Sequence, residues 1–219
     1  MRQMNDNFTV LQDYIDTLNT NNPQYTFYNE IIDFQKDHII PAVRFDTAVF
    51  LMNMVLFIKP EKILEIGFGS GASTLFMDKG ARSYGCYKIT SLERDKNRYA
   101  RGIKILEKYN NNIELINADA FKYLSDENNK ELFDFVFLDA VKRDYIDYLP
   151  LVKKTLSKNG VLITDNILFN GKVIENEIPE KYKNGVELLK KYNEVLSKDD
   201  GFNTAFYNIG DGMSMSVKI

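Results

Sequence analysis

From residue 62 onwards, short apolar segments of strand character alternate with longer segments whose apolar residues recur at helical spacing. Five such strands are predicted before the last helix, at residues 62–66, 87–92, 112–116, 133–138 and 160–164. Strands that are separated by helices pair in parallel, and the helices then cover both faces of the sheet. The alternation therefore predicts an α/β fold around a parallel sheet.

The chain closes with two further strands, predicted at residues 203–209 and 213–219 and joined by the turn Gly210-Asp211-Gly212. Such a tight turn joins antiparallel neighbours, so the last strand is predicted to run against the others. Helices are predicted at 46–58, 95–109, 144–157 and 179–197, with shorter ones through Leu75 and from Ala120. We interpret the chain as one domain, 1–219, with a helical cover at 1–43 and a core at 44–219.

The composition excludes several kinds of site. With one cysteine, Cys86, and one histidine, His38, the chain has no disulfide framework, cysteine-built zinc site or multi-histidine metal centre. The longest apolar stretch, residues 49–58, falls well short of the roughly 20 residues that a membrane-spanning helix needs. Because the N-terminus lacks the apolar segment of a signal peptide, we expect a cytoplasmic protein that does not enter a membrane.

Carboxylates and glycines follow the first three predicted strands, at the edge where α/β sheets bind ligands. Glu65 lies inside the end of the first strand, and Gly67 opens a glycine-rich turn in which backbone N–H groups can approach a ligand closely. Glu93 follows the second strand and can accept both hydroxyls of a ribose, while Asp119 follows the third and can accept from an adenine amino group. Together these residues predict a cofactor that contains a nucleoside.

The spacing Gly67-x-Gly69-x-x-Ala72 with a later acidic residue also fits a nicotinamide dinucleotide site. Glu65, inside the strand, favours the cationic methionine moiety of S-adenosylmethionine instead. A reductase would need a catalytic pair, and Tyr84 and Lys88 have the Tyr-x3-Lys spacing but lie at a strand start. An NAD-dependent oxidoreductase and a catalytically idle nucleoside-binding module therefore stay as the alternatives.

Three oxygen-bearing side chains follow the fourth and fifth strands. Asp139 ends the fourth strand, and Asp165 and Asn166 end the fifth. Two carboxylates and one amide suit a hard cation such as Mg²⁺, although each residue alone could serve as a helix cap or turn residue. Lys142 lies three residues beyond Asp139, and a lysine beside a dication suits a general base.

These segments give the chain, from about Ile40 onwards, a resemblance to the cation-dependent O-methyltransferases. That family includes the catechol and caffeoyl-CoA enzymes and small bacterial relatives, among them tRNA 5-hydroxyuridine methyltransferases. The matching segments are Glu65-Ile66-Gly67-x-Gly69-x-Gly71-x-Ser73, Leu138-Asp139-Ala140-x-Lys142-x-x-Tyr145, Thr164-Asp165-Asn166 and the closing run from Gly210 to Lys218. The chain departs from the pattern after Asn166, where Phe169 stands near the position that many relatives fill with tryptophan.

The resemblance implies a class I methyltransferase fold of Rossmann-like type, with seven strands of which the last is antiparallel. It implies S-adenosylmethionine bound by Val43, Glu65, Gly67, Ser73, Glu93 and Asp119, with Asp139 nearby. It also implies a divalent metal ion on Asp139, Asp165 and Asn166, and Lys142 as the catalytic base.

A substrate that chelates the metal ion needs two adjacent oxygens, as in a catechol-like phenol or in 5-hydroxyuridine of tRNA. The net charge of -3 argues against RNA, whereas five lysines beyond the metal residues argue for it: Lys172, Lys181, Lys183, Lys190 and Lys191. We favour tRNA on these lysines, and a solvated helix face is their alternative explanation. The relatives also lead us to expect a homodimer, as do the aromatic residues of the cover: Phe8, Tyr14, Tyr25, Phe27, Tyr28 and Phe34.

Overall fold

The computed structural model describes residues 2–25, 43–106, 112–127 and 132–219, with the backbone alone for residues 2–9. The helices in these ranges are α1 (Arg2–Thr20), α2 (Phe45–Ile58), α3 (Ala72–Ala81), α4 (Lys96–Leu106), α5 (Ala120–Ser125), α6 (Tyr145–Thr155) and α7 (Glu180–Lys198). The strands are β1 (Lys62–Ile66), β2 (Lys88–Leu92), β3 (Ile113–Ile116), β4 (Phe133–Leu138), β5 (Leu156–Asp165), β6 (Phe202–Tyr207) and β7 (Met213–Lys218).

The strands form one seven-stranded sheet in the order β3-β2-β1-β4-β5-β7-β6. Strands β1 to β5 pair in parallel, and β7 pairs antiparallel with both β5 and β6. The predicted fold class, including the reversed last strand, is confirmed. Strand order reverses between β1 and β4, and ligands bind at such a switch point in open α/β sheets.

Helices cover both faces of the sheet, and alternate strand residues point into two separate cores. Ile63 and Phe135 pack with α2, α3 and α4, whereas Leu64 and Val136 pack with α5, α6 and α7. This burial on both faces explains why β4 is apolar at almost every position. The central strands are thereby fixed, and their carboxyl ends form a rigid edge.

The boundary between α6 and β5 differs from the predicted one. The helix was expected to reach residue 157 and the strand to begin at residue 160, but α6 ends at Thr155 and β5 begins at Leu156. The pairing of β4 with β5 shifts register between Phe133 and Phe135, and Asn159 has a φ of 63°. The strand therefore contains a bulge, which the polar residues before Gly160 hide from a search for apolar alternation.

The predicted helical cover begins with α1, and Tyr25 continues it by packing its ring 5.6 Å from that of Phe45. The aromatic residues Phe27, Tyr28 and Phe34 and the lone His38 lie outside the described residues. The predicted buried helix 46–58 corresponds to α2, which is buried along most of its length but leaves Phe57 81% exposed at its end. None of the helices in the described ranges combines the length and the apolar character needed to cross a membrane.

Candidate active site

A cavity of about 380 Å³ opens at the carboxyl ends of β1, β2, β4 and β5. Most of the predicted site residues line it: Val43, Gly67, Ser73, Glu93, Asp139, Lys142, Asp165 and Asn166. Glu65 and Asp119 are not on its wall. Three arginines, Arg44, Arg94 and Arg98, also border the cavity, and the sequence reasoning did not single them out.

The turn after β1 brings the residues predicted to bind the cofactor close to those predicted to bind the metal ion. Gly67 has a φ of 93°, and a Cβ there would lie 2.2 Å from the main-chain oxygen of Asp139. The backbone is pinned on both sides, since Gly67 N donates to Leu92 O and Asp139 N donates to Ile66 O. A glycine is therefore required here by conformation and by space.

Glu65 lies beneath the turn, fully buried, in a cage of hydroxyl groups. The hydroxyls of Ser73, Thr74 (2.5 Å) and Ser91 (2.7 Å) donate to its carboxylate. Burial outweighs these hydrogen bonds and raises the pKa of Glu65 to about 7. Of the three donors, Ser73 also lines the cavity, so Ser73 joins the buried carboxylate to the cofactor side of the site.

The two carboxylates beyond β2 and β3 have different local roles. Glu93 lines the cavity and is held by the N–H of Asp95 at 2.8 Å, and a guanidinium nitrogen of Arg98 lies 3.5 Å from the same carboxylate oxygen. Asp119 caps α5 by accepting from the N–H groups of Phe121 and Lys122. An aspartate directly before a helix is a typical cap, and that signal was present in the sequence.

The ends of β4 and β5 bring the predicted metal residues together around Lys142. Lys142 Nζ lies 2.9 Å from Asp139 Oδ1 and 2.5 Å from Asn166 Oδ1. Asp165 beside them is 1% exposed, and burial together with the charge of Asp139 raises its pKa to about 7. A buried carboxylate of this kind needs a cation close by to ionise readily, so these oxygens fit a hard divalent ion.

The described ranges hold no cluster of three or more His, Cys, Asp and Glu side chains that could bind a metal ion. Any ion at this edge would therefore rely on the amide oxygen of Asn166 as well as on the two aspartates. Asn166 has a φ of 58°, a left-handed conformation that asparagine tolerates better than most residues. That conformation turns the chain at the end of β5 and leaves the amide next to Lys142.

Tyr145 was placed by the sequence in a motif of the family but was assigned no role, and in the structure it is buried and completes the surroundings of Lys142. Its hydroxyl lies 3.0 Å from Lys142 Nζ, and Ala140 O lies 3.2 Å from the same nitrogen. The only signal for it was its place in the segment that runs from Asp139 through Lys142.

The loop after Asn166 is held by the turn between β6 and β7. Ile167 N donates to Gly212 O, Leu168 N donates to Asp211 O, and Asn170 N donates to the Asp211 carboxylate at 2.5 Å. This clamp places Phe169 and Asn170 on the cavity wall. The role of Asp211 was not predicted, because it depends on a contact between segments 41 residues apart.

Aromatic and cationic side chains lie next to each other at the edge of this wall. The ring of Phe169 meets that of Tyr182 edge-on at 5.8 Å, and the ammonium groups of Lys172 and Lys181 lie 5.4 and 4.7 Å from the centre of the Tyr182 ring. Lys183 instead pairs with Glu180, and Lys190 and Lys191 are exposed along α7. Only part of the predicted lysine set therefore lies near the cavity.

Residues 26–219 match the family model described as O-methyltransferase. The chain is 30% identical over 184 residues to tapetum-specific methyltransferase 1 of Arabidopsis thaliana, covering 81% of this chain and 78% of that protein. It is 29% identical over 174 residues to the caffeoyl-CoA O-methyltransferase of Stellaria longipes, covering 76% and 71%. Its fold matches that of an O-methyltransferase from Bacillus cereus in complex with SAH, with a TM-score of 0.81, 23% identity and coverage of 96% and 97%.

Proposed function

The chain belongs to the O-methyltransferase family, and we propose that it transfers a methyl group from S-adenosylmethionine to one of two adjacent oxygens of its substrate with the help of a divalent cation. The membership confirms the family predicted from the sequence motifs. The observation that carries the proposal is the meeting of Asp139, Asp165, Asn166 and Lys142 in the cavity that the glycine turn borders. NAD-dependent oxidation or reduction is not the activity of this family.

On the cofactor side, Gly67 lets the methionine part of the cofactor approach the backbone, and Ser73 and Val43 border the same space. Glu93 is placed to accept the ribose hydroxyls. Glu65 lies behind Ser73 in the buried hydroxyl cage, where the positive charge of a bound cofactor would favour its ionised form. Asp119 shapes the adenine end of the site by fixing the start of α5, between the cavity residues Ala118 and Ala120.

On the metal side, Asp139, Asp165 and Asn166 would hold the cation, for which Mg²⁺ is the best match to an oxygen-only set. When bound, the ion would supply Lewis-acid polarisation of two neighbouring substrate oxygens. Lys142 takes the proton from the attacking hydroxyl at Nζ. The new O–CH₃ bond then forms as the S–CH₃ bond of the sulfonium breaks, and S-adenosylhomocysteine leaves with both electrons of that bond.

The test for this mechanism is the Lys142→Ala variant, assayed on a simple catechol with S-adenosylmethionine and Mg²⁺. Loss of a general base should lower kcat by roughly 10²- to 10⁴-fold while KM for S-adenosylmethionine barely changes. Lys154→Ala removes an exposed lysine from α6 and serves as the matched control. If Lys142→Ala keeps the wild-type single-turnover rate, Lys142 is not the base.

For the acceptor substrate we propose a small phenol with vicinal oxygens. The relative from Stellaria longipes is named for caffeoyl-CoA, and the aromatic ring of Phe169 offers a planar substrate a surface to pack against. The second candidate is 5-hydroxyuridine of tRNA. Lys172 and Lys181 favour it, since they lie close to Tyr182 at the edge of the Phe169 wall.

Salt dependence separates the two substrates. Binding through RNA phosphates releases counterions, so tRNA affinity should fall steeply with salt, whereas catechol binding should hardly change. Replacing Lys172 and Lys181 together by alanine should flatten the salt slope for tRNA and leave catechol methylation intact. Methylation of catechol without methylation of 5-hydroxyuridine-containing tRNA would exclude the RNA substrate.

We also propose that the protein is a homodimer that works in the cytoplasm. Helix α1 faces the body of the protein with a polar side, where Gln12 donates to Asp16 and to Asp46 of α2. Its apolar side is 46 to 64% exposed and comprises Val10, Leu11, Tyr14, Ile15 and Leu18. An exposed stripe of this kind suits contact with a second copy, and the free, exposed Cys86 suits a reducing compartment.

A further inference from the structure

Tyr145 is a fully buried tyrosine whose hydroxyl group makes two hydrogen bonds at the metal side of the cavity. It lies 3.1 Å from the main-chain oxygen of Asp165 and 3.0 Å from Lys142 Nζ. Its ring is fixed by Tyr192, which it meets edge-on at 5.4 Å, and the Tyr192 hydroxyl is bonded in turn to Thr164 Oγ1 at 2.6 Å. Tyr145 therefore presents its hydroxyl group at a fixed position.

The direction of the two hydrogen bonds follows from the number of protons available. A tyrosine hydroxyl has one hydrogen, and the carbonyl oxygen of Asp165 can only accept. The hydrogen is therefore committed to Asp165, and the hydroxyl oxygen can only accept from Lys142. Burial raises the pKa of Tyr145 well above its usual value, so this arrangement persists over the working pH range.

Lys142 Nζ lies within hydrogen-bond distance of four acceptors: the Tyr145 hydroxyl, Ala140 O at 3.2 Å, Asp139 Oδ1 and Asn166 Oδ1. Asp139 and Asn166 line the cavity, whereas Tyr145 is buried behind it. The Tyr145 hydroxyl therefore anchors Lys142 Nζ from the interior of the protein.

We propose that Tyr145 is a positioning residue that holds Lys142 Nζ at the place from which it reaches the substrate hydroxyl. This inference rests on the proposed role of Lys142 as the base. Tyr145 itself exchanges no proton with the substrate and does not line the cavity. Its contribution is to position Lys142, which takes the proton from the substrate. Misplacement of a catalytic group by about 1 Å can cost up to 10²-fold in rate.

The first test compares single-turnover rates of Tyr145→Phe and Tyr192→Phe on a simple catechol. Each change removes one buried hydroxyl from the same layer, but only that of Tyr145 contacts Lys142. Tyr145→Phe should lower the rate by roughly 10- to 100-fold with unchanged affinity for S-adenosylmethionine, and Tyr192→Phe should keep the wild-type rate. Equal rates for Tyr145→Phe and wild type would overturn the proposal.

The second test combines Tyr145→Phe with Lys142→Ala. If Tyr145 acts through Lys142, the double variant should be no slower than Lys142→Ala alone, because coupled residues are not additive. Multiplied effects would show that Tyr145 acts independently, against the proposal. A wild-type rate for Lys142→Ala would instead overturn the proposed function of Lys142, so the two failures are distinct.

The third test uses a nitrocatechol that is already ionised at the assay pH and needs no base. Both Tyr145→Phe and Lys142→Ala should methylate it at close to the wild-type rate, whereas damage to the fold would not be repaired. A persistent defect of Tyr145→Phe on this substrate would contradict the positioning role. If Tyr145→Phe does not fold, the same tests can be made with Tyr145→Met, which fills the buried space without a hydroxyl.

Discussion

At the scale of single residues, Asp165 is the side chain whose loss should separate metal binding from cofactor binding. It ends β5, is nearly fully buried, and lies away from the glycine turn. Asp165→Ala should abolish binding of Mg²⁺ or Mn²⁺ in calorimetry and reduce turnover to background, while S-adenosylmethionine binds almost as in the wild type. Full activity of the wild type in excess chelator would contradict the metal-dependent mechanism.

Glu65 should give the protein a pH-dependent stability. Its pKa is about 7 in the folded chain and 4.5 ordinarily, so the folded state holds the proton more tightly. The stability from this group is therefore present below about pH 4.5 and is lost as the pH rises through about 7. The loss is on the order of 3 kcal/mol for the full shift.

Glu65→Gln removes that dependence, because the amide does not ionise and can still bond to the hydroxyl cage. The free energy of unfolding in urea, measured at pH 5 and pH 8, should therefore fall more for the wild type than for the variant. Asp165 also has a raised pKa, but it is present in both proteins and cancels from the difference. If the free energies of unfolding of wild type and variant differ by the same amount at both pH values, Glu65 is already ionised in the folded chain.

The residues that sequence reasoning found are those whose position at a strand end carries the chemistry. Asp139, Asp165 and Asn166 follow apolar strands directly, so the topology alone predicts that they meet. The hydroxyl cage of Glu65 could not be found in this way. Thr74 and Ser91 come from α3 and β2, and small polar residues at such positions have no distinctive spacing.

At the scale of elements, the clamp between the β6–β7 turn and the loop after Asn166 should control substrate affinity. Asp211→Ala removes the acceptor for Asn170 N and should raise KM for a catechol by about tenfold, the worth of one hydrogen bond of this kind. KM for S-adenosylmethionine should stay the same. Asp211→Asn keeps an acceptor oxygen and should restore most of the affinity, whereas an unchanged KM in Asp211→Ala would argue against the clamp.

The elements were predicted well where apolar periodicity was strong and poorly where it was not. The strand β4 was located to the residue because it is buried on both faces. The start of β5 was misplaced because the residues that follow Leu156 are polar and the strand is bulged there. A bulge depends on the partner strand, and a single segment does not contain that information.

At the scale of the whole molecule, the exposed stripe on α1 should mediate the proposed dimer. Leu11→Lys combined with Ile15→Lys should convert a dimeric mass in light scattering into a monomeric one, because two charges cannot be buried without partners. Asp13→Lys, at an exposed polar position of the same helix, is the matched control. A monomeric wild type at micromolar concentration would refute the dimer.

The contact between Gly67 and Asp139 has a consequence for efforts to redesign this enzyme. Since no side chain fits between the two backbones, the spacing between the glycine turn after β1 and the residues after β4 is set by main-chain atoms. Mutant libraries that seek new acceptor specificity should therefore leave Gly67 and Asp139 unchanged. They should vary Phe169, Asn170 and Tyr182, where side chains rather than backbone shape the wall and where a larger or smaller substrate can be accommodated.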